Sequence, residues 1–123
     1  MADRKKVLII DDDIDFREQA KIVLEAENYE VLEAEDGSKG LELIKKDNPD
    51  FILLDVMMEE VDTGVRMADQ IAALKTQAPV VIISSFANAA KQIFDTSAVP
   101  VKEYLQKPLK SDELLALIRR YTE

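Results

Sequence analysis

The sequence predicts an α/β fold: an open, doubly wound parallel sheet of five strands with helices on both faces. Three short runs are continuously apolar, which is typical of strands buried on both faces; they span residues 7–10, 51–54 and 80–83. Longer amphipathic stretches separate the runs, so a strand and a helix alternate five times. This alternation implies right-handed crossovers and a parallel sheet. Five units are too few for an eight-stranded barrel, which leaves an open sheet.

The remaining elements follow from shorter runs and from helical periodicity. Residues 29–34 and 103–106 form shorter, more polar runs, which suit strands nearer an edge of the sheet. Four apolar stripes at helical spacing predict helices; they are Phe16, Ala20, Val23 and Leu24 (helix 14–27), Leu41 and Ile44 (after Gly37), Met67, Ile71 and Leu74, and Leu114, Leu117, Ile118 and Tyr121. A weaker pattern predicts a fourth helix between residues 88 and 94.

Two polar residues are interpreted as helix caps. Asp13 precedes the first helix and Ser111 precedes the last, where Asp112 and Glu113 also favour the first turn.

Composition narrows the chemistry that the chain can perform. The 123 residues carry a net charge of −9, which argues against binding nucleic acid or anionic lipid. The sequence has no Cys and no His, so thiolate catalysis and a Ser-His-Asp triad are excluded, and a bound metal would need oxygen ligands. No run is long enough for a signal peptide or a membrane span, so we expect a cytoplasmic protein.

Charged and hydroxyl side chains follow four of the predicted strands. The first strand ends in Asp11-Asp12-Asp13, the third in Asp55, the fourth in Ser84-Ser85 and the fifth in Lys107-Pro108. Doubly wound sheets place their sites beyond the carboxyl ends of the strands, so these residues should converge. Crowded carboxylates raise one another's pKa unless a cation is present, and the cation suited to oxygen ligands is Mg²⁺.

In their order and spacing these motifs resemble the response-regulator receiver domain, the phosphorylated half of bacterial two-component signalling. The match runs from Asp11-Asp12 to Lys107-Pro108 and the final helix, nearly the whole chain. Each motif alone is weak, but the set is specific. The resemblance implies one receiver domain over residues 1–123, without an output domain in this chain. It also implies a flavodoxin-like sheet with strand order 2-1-3-4-5.

The resemblance implies a phosphoacceptor and a set of metal ligands. Asp55 matches the phosphoacceptor. Asp12 matches a direct Mg²⁺ ligand and Asp11 a ligand that acts largely through water, while Asp55 and the backbone carbonyl of Met57 complete the set. Mn²⁺ is the alternative ion.

Further matches concern catalysis and switching. Lys107 matches the family's lysine, followed by Pro108 where the family has a cis peptide, and Ser84 matches the hydroxyl residue that meets the phosphoryl group. Ser85 is the fallback for Ser84. Tyr104 matches the switch aromatic; its alternative is a half-buried strand aromatic with no switching role.

The resemblance also implies partners. Because the chain has no His, the phosphoryl donor must be external: a histidine kinase, a phosphotransfer protein or a small acyl phosphate. The output would reach a downstream protein through the surface formed by the fourth helix, the fifth strand and the fifth helix. Such a domain catalyses its own phosphorylation and slow dephosphorylation without being a turnover enzyme.

The chain departs from the family pattern in two segments. Glu59 stands where the family usually has Pro, and Gly64 comes about one residue late, so this rim should dock partners differently. Residues 88–100 predict a short or irregular fourth helix, which argues against assuming the family's common dimer through that face. The two positions that tune dephosphorylation in the family are the apolar Met57 and Phe86, which predicts a long-lived phosphoryl group.

Two other functions compete with this interpretation. A phosphatase of the haloacid-dehalogenase type also uses an Asp nucleophile and Mg²⁺; it would depend on Asp11, but Ile14-Asp15 lack its continuation and the chain has no room for a cap domain. A pseudo-receiver that kept the fold and lost the chemistry is the second, although every expected site residue is present.

Overall fold

The structure, a computed structural model, describes residues 4–55, 69–71, 73–74, 76–86, 91 and 101–123. Strands and helices alternate in the order β1 (Lys6–Ile10), α1 (Ile14–Ala26), β2 (Glu30–Ala34), α2 (Gly37–Asp47), β3 (Phe51–Asp55), β4 (Val80–Ser84), β5 (Val101–Gln106) and α3 (Ser111–Thr122). The helix α3 corresponds to the fifth predicted helix. Residues 69–71 are also helical.

The five strands form one parallel sheet in the order β2-β1-β3-β4-β5, which confirms the predicted fold class and strand order. The inner strand β1 pairs Leu8 with Leu32 of β2 on one side and with Ile52 of β3 on the other. The more polar strands β2 and β5 lie at the two edges, as their composition predicted. The register between β4 and β5 shifts at Val80/Val81.

The two faces of the sheet support two separate hydrophobic cores. Because successive side chains of a strand point to opposite faces, each continuous apolar run supplies both cores. One core combines Leu8, Ile52 and Ile82 with Ile44 of α2 and with Ile71. The other core is formed by alternate strand residues and by α1 and α3; it contains Val7, Ile9, Phe51, Leu53, Val81 and Ile83 together with Ala20, Leu24, Leu114, Leu117 and Ile118. Both faces are therefore covered, as a doubly wound sheet requires.

Of the two predicted helix caps, the structure confirms the one at Asp13. The side chain of Asp13 accepts hydrogen bonds from the backbone N–H groups of Asp15, at 3.0 Å, and Phe16, at 3.4 Å, so Asp13 caps α1. The prediction for Ser111 was wrong by one residue, because Lys110 occupies the cap position of α3. There the Glu113 carboxylate accepts from the Lys110 backbone N–H at 3.1 Å, which is the bond from the third helical residue back to the cap in a capping box.

Several expectations fall outside the described residues. These are the predictions for Met57 and for Glu59 and Gly64, Met67 in the third predicted helix, and the fourth helix with the irregular segment over residues 88–100, of which Lys91 alone is described and is helical. Among the described residues, every helix is too short or too polar to cross a membrane.

The C-terminus of α2 generates a prediction about stability. Asn48 ends this helix in the left-handed region, with φ of 47°, and its N–H donates to the Ile44 carbonyl at 3.2 Å. A residue with an ordinary Cβ is strained there, whereas Gly is not. We expect Asn48→Ala to lower the free energy of unfolding by about 1 kcal/mol and Asn48→Gly to leave it nearly unchanged, as measured by urea denaturation. Equal losses for the two variants would contradict this account.

Candidate functional site

The carboxyl ends of four strands bring polar side chains to one edge of the sheet. Asp11 follows β1 directly, Asp55 and Ser84 are the last residues of β3 and β4, and Lys107 follows β5. The backbone ties these ends together, since the Lys107 N–H donates to the Ser84 carbonyl at 2.9 Å and the Asp11 N–H donates to the Ala34 carbonyl at 3.0 Å. The parallel order of the strands therefore determines where the site lies.

The ammonium group of Lys107 lies between two carboxylates. Its Nζ is 3.1 Å from Oδ2 of Asp11 and 3.0 Å from Oδ1 of Asp55. The side chains of the two acids are 0% and 6% exposed, and that of Lys107 is 21% exposed. With so little water around the three groups, their charges are poorly screened and interact more strongly than charges at the surface.

Burial and charge shift the pKa values of this trio. Burial is the main cause that raises the pKa of Asp55 from 3.8 to about 6; the negative charge of Asp11 adds to the increase and Lys107 opposes it. Burial alone would lower the pKa of Lys107, but its hydrogen bonds and charge interactions with Asp55 and Asp11 outweigh burial and raise it. Lys107 thus stays protonated at neutral pH, yet one ammonium does not offset two buried carboxylates.

A third carboxylate makes the cluster suitable for a divalent cation. Asp11, Asp12 and Asp55 each offer one oxygen, and these oxygens lie within 4.8 Å of one another. Asp11 is buried and Asp12 is exposed, so the cluster opens to solvent on the side of Asp12. Oxygen ligands, excess negative charge and a raised carboxyl pKa fit a hard cation such as Mg²⁺. The fourth predicted ligand, the carbonyl of Met57, lies outside the described residues.

Ser84 ends β4, the strand that pairs with β3, and Ser85 and Phe86 follow it. Ser84 is 1% exposed, and its Oγ accepts a hydrogen bond from the backbone N–H of Phe86 at 3.0 Å. A hydroxyl can accept and donate at the same time, so this bond still allows Ser84 to donate to a ligand. The fallback residue, Ser85, is exposed, and its carbonyl accepts from the side chain of Gln106. Phe86 is 56% exposed.

Tyr104 and Pro108 complete the set of predicted residues. Tyr104 of β5 is half-buried and packs against the core that contains Leu54 and Ile82. The peptide bond between Lys107 and Pro108 is cis.

Two contacts at this edge of the sheet were not predicted from the sequence. Arg17 donates from Nη1 to the Asp11 carbonyl at 2.8 Å and pairs through Nε with Glu33 at 3.3 Å, which fixes the backbone of Asp11 against β2. Phe16, assigned to the apolar stripe of the first helix, also has its ring centroid 5.3 Å from Nζ of Lys107. The only signal for either contact was a position in the first turns of the helix that follows Asp11.

The fold and this acidic edge define a class of doubly wound domains with a carboxylate cluster and a lysine at the strand ends. The family model for the response regulator receiver domain matches residues 7–119. The chain therefore belongs to the receiver-domain family of two-component response regulators.

Relatives and solved structures agree with this family. Response regulator MprA of Mycolicibacterium vanbaalenii is 32% identical over 114 residues, which cover 93% of this chain and 48% of that protein. Response regulator MprA of Mycobacterium leprae shows the same identity over 114 residues, with coverages of 93% and 49%. The chain thus spans about half the length of the curated relatives it matches.

Chemotaxis protein CheY4 of Vibrio cholerae superposes with a TM-score of 0.83 and 28% identity, over 96% of this chain and 98% of that one. A receiver domain protein of Methanospirillum hungatei, at 23% identity, shares the fold with a TM-score of 0.81, over 95% and 92% of the two chains.

The raised pKa of Asp55 predicts how the stability of the metal-free protein depends on pH. The folded protein holds the Asp55 proton more tightly than the unfolded chain, with a pKa of about 6 against 3.8. The contribution of Asp55 to the free energy of unfolding is therefore fully present below the pKa of the unfolded chain. It is lost as the pH rises through the pKa of the folded protein, and the loss is at most about 3 kcal/mol. Asp55→Asn should remove this loss and be more stable than wild type at neutral pH.

Urea denaturation in EDTA across this pH range checks the prediction. Parallel stability curves for the wild type and Asp55→Asn would contradict it.

Proposed function

We propose that Asp55 accepts a phosphoryl group from an external phosphohistidine donor and that the phosphoryl group switches a protein-interaction surface. The observation that supports this proposal is the position of the Asp55 carboxylate, 3.0 Å from Lys107 and within the three-acid cluster. No His occurs in the sequence, so the donor histidine belongs to a histidine kinase or a phosphotransfer protein. A small acyl phosphate is the simplest substitute for that donor.

The transfer forms one bond and breaks another. A carboxylate oxygen of Asp55 attacks phosphorus, the phosphorus–nitrogen bond to the donor imidazole breaks, and an aspartyl phosphate results. The attack needs an ionised Asp55, and Lys107 offsets part of the negative charge that gathers between nucleophile and donor. The Ser84 hydroxyl is the proposed donor of a hydrogen bond to a phosphoryl oxygen.

The acidic cluster would hold Mg²⁺, with Mn²⁺ as the alternative ion. Asp12 and Asp55 are the proposed direct ligands, Asp11 acts largely through water, and the Met57 carbonyl completes the set. When bound, the ion supplies positive charge that offsets the negative charge of the acids and of the phosphoryl oxygens. The Oδ1 of Asp11 accepts from the Asp13 N–H at 2.9 Å and its Oδ2 accepts from Lys107. Because Asp11 would act on the ion through water, it could keep both of these bonds.

The switch uses Ser84 and Tyr104. A phosphoryl group adds roughly −1.5 to −2 charges at neutral pH, so it attracts Lys107 and the Ser84 hydroxyl. Movement of Ser84 toward it would shift the loop after β4 and open space into which the half-buried Tyr104 turns. The signal then appears on the face that contains β5 and α3. On this face Glu103 already accepts from Tyr121, at 2.5 Å, and from Arg120.

The domain is a signalling domain rather than a turnover enzyme, since the transferred group stays on its own side chain. The output passes to a downstream protein and not directly to nucleic acid or membrane, in keeping with the net charge of −9. We place this activity in the cytoplasm.

The competing functions make different predictions for the acids. A dehalogenase-type phosphatase would use Asp11, whose side chain is 0% exposed and bonded through both oxygens. Family membership and this burial argue against it. A pseudo-receiver would bind its partner but would never carry a phosphoryl group, and the following experiment separates it from the proposed function.

Intact-mass spectrometry after incubation with acetyl phosphate and Mg²⁺ tests the proposed acceptor. We expect the wild type to gain the mass of one phosphoryl group, and Asp55→Asn and EDTA-treated wild type to gain none. Asp112→Asn, which changes an exposed acid in the first turn of α3, is the matched control and should react like wild type. An unmodified wild type would favour the pseudo-receiver, and a modified Asp55→Asn would move the acceptor elsewhere.

The lifetime of the phosphoryl group is a separate prediction. An apolar Phe86 cannot orient a water molecule for attack by hydrogen bonding, so we expect slow hydrolysis after the donor is removed. Phe86→Asn supplies a hydrogen-bonding side chain at the same exposed position and should speed the decay several-fold. Loss of the phosphoryl group from wild type within seconds, followed by mass spectrometry, would contradict the prediction.

A further inference from the structure

We propose that Phe16 is a positioning residue for phosphoryl transfer: its ring holds the Lys107 ammonium beside Asp55 through a cation–π contact. The ring centroid is 5.3 Å from Nζ of Lys107. This distance is within the range of about 6 Å over which an ammonium is attracted to the face of an aromatic ring. The inference rests on the proposed function, because the step that it assists is the transfer to Asp55.

The contact adds a third neighbour to the ammonium. An ammonium has three protons, and the two carboxylates of Asp11 and Asp55 lie at 3.1 and 3.0 Å. The ring of Phe16 lies beside the same nitrogen. Two anions and one aromatic ring thus surround a group whose side chain is 21% exposed, which restricts where the ammonium can move.

The ring is itself held in place by the segment that carries the acids. The Asp13 carboxylate, two residues after Asp11, accepts from the Phe16 N–H at 3.4 Å and caps the helix at this turn. The side chain of Phe16 is half-buried against the core between the sheet, α1 and α3. Lys107, by contrast, reaches the site from the far end of the chain on a flexible four-carbon stem. The ring therefore gives the ammonium a fixed neighbour at the end of a flexible side chain.

An aromatic ring suits this position better than another charged residue. A further carboxylate would add negative charge where a phosphoryl group must arrive and would compete for Lys107. The ring attracts the cation without a net charge, so Lys107 can still bind a phosphoryl oxygen. A leucine would fill a similar volume but would not attract the ammonium. The proposal thus concerns the electrons of the ring and not only its size.

A series of ring substitutions separates charge attraction from packing. Site-specific replacement of Phe16 by phenylalanines with progressively more ring fluorines removes electron density from the ring face at nearly constant shape. The first measurement is the initial rate of Asp55 phosphorylation by acetyl phosphate with Mg²⁺. We expect the rate to fall stepwise, to roughly one-fifth of wild type for the most fluorinated ring and for Phe16→Leu, a change of about 1 kcal/mol. Phe16→Tyr, which keeps the ring, should stay near the wild-type rate.

The second measurement needs neither phosphoryl group nor metal. The unfolding equilibrium of the same series is measured in EDTA, in the wild-type background and in Lys107→Met. When Lys107 is present, we expect the most fluorinated ring to raise the equilibrium constant of unfolding roughly five-fold. In the Lys107→Met background, we expect no graded change of this constant with fluorination. Fluorination of Phe51, a core ring packed against Tyr121, is the matched control and should leave the phosphorylation rate unchanged.

The outcomes distinguish the positioning role from the proposed function. A phosphorylated wild type whose rate does not respond to fluorination of Phe16 overturns the positioning role and leaves the proposed function standing. An equal trend in the Lys107→Met background assigns the effect to packing and also overturns the positioning role. A wild type that gains no phosphoryl group at Asp55 overturns the proposed function and the positioning role together.

Discussion

The interaction on which this site depends is that of one lysine with two buried carboxylates. Asp11 and Asp55 are nearly inaccessible to water, and Lys107 bonds to both. Burial is the main cause that raises the pKa of Asp55, and the negative charge of Asp11 adds to it in spite of the shared lysine. Such a site favours the binding of a cation. It also keeps an Asp55 oxygen close to the Lys107 ammonium, which can form an ion pair with a group transferred to that oxygen.

The sheet makes this interaction possible because it joins distant segments of the chain. Asp11 and Lys107 are 96 residues apart in sequence, and their side chains meet because β1 and β5 lie in one parallel sheet and end at the same edge. The continuous apolar runs of the central strands are buried on both faces, so these runs anchor the strands and the polar residues lie at the carboxyl ends. Stability and function are thus assigned to different residues of the same strands.

The sequence was sufficient to predict the alternation of elements, the edge strands and the convergence of Asp11, Asp12, Asp55 and Lys107, because each depends on a periodic pattern or on the end of a strand. It was insufficient where a contact depends on side-chain direction. The spacing of Phe16 indicated only a buried stripe, and nothing in the sequence tied Arg17 to the Asp11 carbonyl. The cap of α3 was misplaced by one residue, because the cap position is occupied by Lys110, a residue type that does not favour it. Crowding alone suggested the raised carboxyl pKa, whereas burial is its larger cause.

The most direct test of the central claim is to identify the atom that receives the phosphoryl group. Borohydride reduces an acyl phosphate to an alcohol, so reduction of the acetyl phosphate-treated protein followed by peptide mass spectrometry marks the acceptor. The account predicts that the residue at position 55 is converted to homoserine and that Asp11 and Asp12 are unchanged. Conversion at Asp11 or Asp12, with Asp55 intact, would contradict it.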